Sequence, residues 1–474
     1  MRTIRRALRD APWQEPRSIG VAVRRQSSSE APLTTFAAGK SSASRRGTLQ
    51  DVGRSGTDPA LLAAAGLQWL LGSARDTAGG LAWPGTPGDD EADLSLYSGA
   101  AGIVITLLEA YQHFGNDAYA DAALRGARAI AETGRDVTQC SLYFGLTGVA
   151  VAQRAVADIL GDAAIGESAD RALEQVRSRF DGERWSDQFE LLGGNAGIAL
   201  GALAAGDPDL AVLAVTPYLR TAEPTPAGVQ WEVRAGTAAR FHHISHGTLG
   251  IVHALAAVGQ ATARADLVEL ALAGAADVVS RDEAGPEGFL VPHSDPQHKP
   301  DLIERYSFGW CHGPAGDAQV FRLLGLVTED PTWQQLADRC WHSVVRSGLP
   351  RRVRPGFWDN SGRCCGTAGV LALACDRHAE NRDGLEFASV LVDDLAARAT
   401  VDAEGARWSN YEHRVTPSDL EPRTGWAMGS AGIIRELLRY ARICTGADSA
   451  YAVTWPDHPA VATGRCRAEP GHHV

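Results

Sequence analysis

The sequence predicts an all-α fold, an α/α-toroid in which seven outer helices surround seven inner helices in a double-layered barrel. Three observations carry this expectation: a Gly-x-x-Gly pair occurs seven times, an apolar helix-forming run follows each copy directly, and amphipathic segments lie between the copies. The copies are SGAAGIVITLLEAY (Gly99, Gly102), FGLTGVAVAQRAV (Gly145, Gly148), GGNAGIALGAL (Gly194, Gly197), HGTLGIVHALAAV (Gly247, Gly250), HGPAGDAQVFRLL (Gly313, Gly316), CGTAGVLALAC (Gly366, Gly369) and MGSAGIIRELLRY (Gly429, Gly432). They are spaced by roughly 46 to 66 residues, too long for one helix and suited to two helices with loops.

The intervening segments read as outer helices. In DAYADAALRGARAIAETG, Ala123, Leu124, Ala127, Ile130 and Ala131 share one stripe, with Asp and Arg opposite. Each repeat is therefore expected to run as an amphipathic helix, a loop, the glycine pair and a more uniformly apolar helix. An open stack of such pairs leaves its end faces uncovered, whereas a closed ring of seven buries the apolar helices as an inner layer. The glycines then sit at one rim, where the chain turns sharply and backbones approach closely.

Residues 1–55, rich in Arg and Ser with no repeat, are expected to form a disordered arm; 56–455 hold the toroid, and 456–474 are expected to be a loose tail. The formal net charge of −12 argues against a nucleic-acid groove or an anionic membrane surface as the main partner. No run of eighteen apolar residues marks a membrane span, and Arg5-Arg6 is not followed by an apolar signal core. A cytoplasmic location is expected. The eight cysteines are too sparse for a disulfide scaffold in a chain of 474 residues, so clustered thiols point to a metal or to catalysis.

Function should show as departures from the repeat. Copies one, two, three and seven place Ser98, Phe144, Gly193 and Met428 before the first glycine, but copies four, five and six place His246, His312 and Cys365 there. One residue earlier, Cys311 and Cys364 align. In a ring these groups converge at one rim, where three thiols are competent zinc ligands. A Cys364–Cys365 disulfide would need a strained eight-membered ring and an oxidising setting. Packing of two small buried cysteines would leave the third unexplained. Cys340 and Cys375 lie on helix stripes and read as structural, and His242, His243 and His253 as satisfied surface or helix histidines.

The WCHG of copy five, the CCG of copy six, the HG of copy four and the seven Gly-x-x-Gly repeats together resemble the lanthionine synthetase C-like cyclases, over about residues 58–450. The resemblance implies a toroid with one zinc ion held by Cys311, Cys364 and Cys365. It also implies addition of a peptide cysteine thiol to dehydroalanine or dehydrobutyrine, closing a lanthionine or methyllanthionine ring. Many members carry Cys-His-Gly in copy six, so this chain resembles the subgroup with three cysteine ligands.

The chemistry of the residues agrees with that role. A free cysteine is only roughly 3% thiolate at pH 7, and three protein ligands with one open position suit a metal that activates a substrate thiol. The addition also needs an acid to protonate the enolate at carbon. His246 matches the histidine of the family's fourth motif, and His312 is a second candidate; as a fourth ligand, His312 would instead close a structural Cys₃His site. The family's usual Arg four residues before the copy-five cysteine is Ser307 here, with Arg305 nearby, so Arg363 is a substitute candidate for enolate stabilisation. Its usual Asp in the third repeat is Glu190, with Asp187 a turn earlier. The expected partners are a dehydrated precursor peptide and a separate dehydratase. Two other readings remain: intermolecular addition of glutathione or another thiol to dehydrated residues, and a non-catalytic toroid with structural zinc that binds a peptide or partner enzyme.

Overall fold

The chain forms α1 (Pro59–Gly72), α2 (Ala100–Phe114), α3 (Asp117–Thr133), α4 (Leu146–Leu160), α5 (Ala163–Ser178), α6 (Asn195–Ala204), α7 (Pro208–Val215) and α8 (Tyr218–Thr221). It continues with α9 (Thr248–Ala261), α10 (Ala265–Val279), α11 (Pro314–Thr328), α12 (Pro331–Arg346), α13 (Thr367–Asn381), α14 (Leu385–Arg398) and α15 (Ser430–Thr445). This computed structural model describes residues 57–134, 137–353, 357–381, 383–409 and 421–459. The expected arm over 1–55 lies outside the described residues.

Two kinds of helix start distinguish the layers. α1, α3, α5, α7 and α12 begin at Asp58, Asn116, Asp162, Asp207 and Asp330, whose side chains accept from first-turn amides. The helices that follow the glycine pairs have no side-chain cap; loop carbonyls serve instead, as when Ala100 N donates to Asp93 O at 2.8 Å and Leu249 N to His242 O at 3.0 Å. The second glycine of each pair is pressed against the carbonyl of the residue six before it. A Cβ on Gly148 would lie 2.0 Å from Leu142 O, and one on Gly316 1.9 Å from Trp310 O, so no larger residue fits.

The glycine-led helices α2, α4, α6, α9, α11, α13 and α15 contact one another in that order, and α15 returns to α2, closing an inner barrel. The toroid is thus present with its seven inner helices. The outer layer is α1, α3, α5, α7 with the four-residue α8, α10, α12 and α14. The phase of the repeat differs from expectation. Each inner helix packs most closely on the outer helix that follows it across a short turn, and α1 closes the ring by packing on α15, the last inner helix. Short hairpins after three outer helices, β1–β2 (Arg75–Thr77, Gly80–Ala82), β3–β4 (Glu223–Pro224, Val229–Gln230) and β7–β8 (Thr400–Asp402, Gly405–Arg407), each lead into a buried tryptophan. Trp83, Trp231 and Trp408 donate their indole N–H to carbonyls of Leu70, Tyr218 and Leu395. A further pair, β5–β6, joins Arg240–Phe241 to Ser294–Asp295.

At the rim, the residues two before each leading glycine form a closed ring of backbone hydrogen bonds. Tyr97 N donates to Tyr143 O, Tyr143 to Leu192, Leu192 to Ser245, Ser245 to Cys311, Cys311 to Cys364, Cys364 to Ala427, and Ala427 N back to Tyr97 O, at 2.8–3.3 Å. One residue earlier, Leu96, Leu142, Leu191, Ile244, Trp310, Arg363 and Trp426 turn into the barrel and are buried.

Of the tail expected to be loose over 456–474, residues 456–459 are described. Beyond α15 the chain docks into the barrel: Trp455 stacks on Trp426 at 4.1 Å, Tyr143 donates its hydroxyl to Asp457 at 3.0 Å, and His458 Nε2 pairs with Asp376 at 3.2 Å. Aromatic and charged anchors hold this segment without helical periodicity; residues 460–474 lie outside the described residues. Among the described residues no helix is long and apolar enough to cross a membrane.

Candidate active site

The backbone ring sets Cys311 and Cys364 side by side, since Cys311 N donates to Cys364 O at 3.1 Å. Cys365, the next residue, brings its sulfur 3.1 Å from Cys311 Sγ and 3.4 Å from Cys364 Sγ. The latter distance, against about 2.05 Å for an S–S bond, excludes a vicinal disulfide. Among the described residues these three sulfurs are the group of potential ligand atoms, all within 4.8 Å of one another, that could hold a metal ion.

The charges support a cation there. Hydrogen bonds from Cys311 and Cys365 hold the Cys364 thiol well below its ordinary pKa, with Tyr97 O–H adding a third at 3.3 Å. That bond to Cys364 in turn pushes Cys311 well up, and bonds to Cys311 and Cys364 do the same to Cys365. Three thiols this close oppose one another's ionisation, and a positive ion between them favours the thiolate form of all three. Tetrahedral zinc with Zn–S of about 2.3 Å spaces its sulfurs by about 3.8 Å, about 0.4–0.7 Å wider than the 3.4 and 3.1 Å contacts given above. The donor set fits such an ion.

The histidines converge beside the thiols. His246 turns Nδ1 towards Glu190 Oε1 at 3.3 Å, and the two rings of His246 and His312 lie 5.3 Å apart. Glu190 is buried, its carboxylate accepting from Leu192 N and, at 3.1 Å, from Gly193 N. Ser245 Oγ donates to Cys311 O at 2.7 Å, so its contact with His312 Nδ1 at 3.1 Å must be as acceptor. The network therefore places the His312 proton on Nδ1 and leaves Nε2 with a lone pair. Burial, reinforced by His293, His243 and His246, holds the His312 imidazole well below its ordinary pKa and neutral.

A family model, described as lanthionine synthetase C-like protein, matches residues 90–299 and 294–392. The chain belongs to this family. Among solved structures, nisin cyclase superposes with a TM-score of 0.60 at 15% identity, covering 84% of this chain and 95% of that one. A GH76 α-mannanase from Bacteroides thetaiotaomicron is similar at 10% identity and TM-score 0.48, covering 82% and 97%. A D-mannose isomerase is similar at 12% identity and TM-score 0.46, covering 81% and 98%. No curated protein sequence matches.

Against the motifs of the lanthionine synthetase C-like family, the structure brings Cys311, Cys364, Cys365, His246, His312 and Glu190 together and leaves two expected residues, Asp187 and Arg363, out. Asp187 is exposed and accepts at its backbone carbonyl from Ala235 N; of these two carboxylates, Glu190 faces His246. Arg363 is turned into the barrel, where its Nε donates to Glu436 at 3.1 Å and its guanidinium lies over Trp426 at 5.4 Å. Its place in the inward-facing register gives it a packing role and removes it as an enolate stabiliser. Arg305 is on the surface with Glu283. His242, His243 and His253 are all buried; His243 pairs with Asp317 at 2.8 Å, and burial pushes His242 and His253 down to about 3. Sequence reasoning missed His293, buried in the loop before α11 with its ring 4.2 Å from that of His312, and Tyr97. His293 lies outside every repeat motif, but Tyr97 shares the register of Cys311 and Cys364 and could have been found by it.

Proposed function

We propose that this chain is a zinc-dependent cyclase that adds cysteine thiols to dehydroalanine or dehydrobutyrine residues of a ribosomally made peptide, forming lanthionine and methyllanthionine rings. The observation that carries this reading is the cluster of three cysteine sulfurs within 4.8 Å at a rim that also holds the Glu190–His246 pair and a neutral His312. Cys311, Cys364 and Cys365 would hold one zinc, which when bound supplies the charge that makes a substrate thiol a thiolate at neutral pH.

The two histidines suit opposite proton transfers. His312, with its proton on Nδ1, offers Nε2 to take the proton of the substrate thiol. The sulfur then bonds to the β-carbon of the dehydro residue, and the π-electrons move to the α-carbon and its carbonyl as an enolate. His246, oriented by the Glu190 carboxylate, delivers a proton to that α-carbon. The sum is one S–H and one C=C consumed, one C–S and one C–H formed.

The substrate is a peptide already dehydrated, so a separate dehydratase is proposed to precede this step. Three reduced thiols suit a cytoplasmic setting. Incubation with a dehydrated peptide followed by thiol alkylation and mass spectrometry tests the reading. Ring closure removes alkylatable thiols at constant mass. Addition of glutathione would raise the mass instead, and unchanged alkylation would leave a peptide-binding toroid.

A further inference from the structure

The backbone ring brings a partner to the cysteine cluster from two positions along the rim. In the ring, Ala427 stands between Cys364 and Tyr97, with Cys364 N bonded to Ala427 O at 2.9 Å and Ala427 N to Tyr97 O at 2.8 Å. The Tyr97 side chain reaches past Ala427 to the cysteine cluster. Its hydroxyl reaches Cys364 Sγ at 3.3 Å, and its ring is braced by Phe144 at 5.2 Å and edge-on by Tyr143 at 6.2 Å. Tyr143 occupies the next ring position but spends its hydroxyl on Asp457 and accepts from Trp455 Nε1 at 3.0 Å, so only one of the two adjacent phenols addresses sulfur.

We propose that Tyr97 is a positioning residue that donates a hydrogen bond to the Cys364 thiolate, fixing that ligand and limiting the charge that the three-sulfur centre passes to a fourth ligand. A phenol at neutral pH is protonated, and a ligating thiolate has lone pairs left to accept from it. The bond withdraws electron density from one sulfur of three, offsetting the strong donation of an all-thiolate site. Partners of this kind orient metal ligands and tune the ion, and their removal costs roughly 10- to 100-fold in metal affinity or activity. The inference rests on the metal reading of the cluster given above.

The test uses the full chain loaded with Co²⁺ in place of zinc, with the sulfur-to-cobalt charge-transfer band and zinc affinity by chelator competition as readouts. Y97F is expected to move the band to lower energy, because the sulfur lone pair is no longer stabilised, and to weaken zinc binding by roughly tenfold. Y143F, which removes the neighbouring phenol hydroxyl without touching sulfur, is the control and should leave the band in place. A band unchanged in Y97F, or moved equally in Y143F, overturns the role of Tyr97. A wild-type protein with no charge-transfer band at all overturns the metal reading instead.

Discussion

Replacing Glu190 by Gln tests the acid assignment without touching a sulfur. The carboxylate accepts from Leu192 N and Gly193 N and faces His246 Nδ1 at 3.3 Å, all from a buried position. A glutamine keeps the shape but has one acceptor oxygen. If that oxygen serves Gly193 N and faces His246, the amide N–H₂ confronts Leu192 N–H; if it serves Leu192 N, Gly193 loses its acceptor and His246 faces an amide N–H₂ in place of a carboxylate oxygen. A polar contact to a charged group is worth about 1.5–3 kcal/mol, and losing the carboxylate that orients His246 should lower the rate of ring closure by roughly 10- to 150-fold. The assay is single-turnover cyclisation of a dehydrated peptide with zinc content measured on the same sample. E190D, which retains the charge, should recover part of the loss. An E190Q enzyme within twofold of wild type, or one whose loss tracks a loss of zinc, refutes the role given to the pair.

Other outcomes follow from the same structure. H312A should keep its zinc, since the three sulfurs form the ligand group, yet lose roughly 10²- to 10⁴-fold in cyclisation; zinc loss would make His312 a ligand. Zinc affinity should rise with pH through neutrality, because Cys311 and Cys365 are pushed up and each must lose its proton to bind, as proton release measured by calorimetry in several buffers would show. E436L leaves the Arg363 guanidinium buried without its anion and should cost about 3–5 kcal/mol in denaturant unfolding, with no change expected in the cobalt spectrum. G148A, far along the ring from the cysteines, drives a Cβ to within 2.0 Å of Leu142 O and should destabilise by at least about 1–3 kcal/mol.

Much of the fold could be read from the chain because its rim is built on steric necessity. Seven glycines recur where a Cβ would collide with a carbonyl, and apolar runs follow where a helix is surrounded on all sides. The cysteine cluster was legible for a related reason: the repeat register places Cys311 over Cys364 and His246 over His312 and Cys365. Reading one step further along that register would have placed Arg363 with Leu142, Ile244 and Trp426, facing the barrel, and Tyr97 with the cysteines. What no local pattern carries is long-range closure. α1 finds α15 through packing alone, the segment around Trp455 and Asp457 docks through single anchors, and His293 arrives beside His312 from an irregular loop. The Glu190–His246 contact was half visible, as a carboxylate and an imidazole in adjacent repeats, but the choice between Glu190 and Asp187 depended on which one the turn buries.

The central claim is that Cys311, Cys364 and Cys365 hold one catalytic zinc. Elemental analysis of the purified chain, paired with cyclisation of a dehydrated peptide before and after chelation, tests it most directly. The account predicts about one zinc per chain, loss of ring closure with the metal and recovery on its return, and loss of both in C364A. Ring closure that survives complete removal of zinc would contradict it.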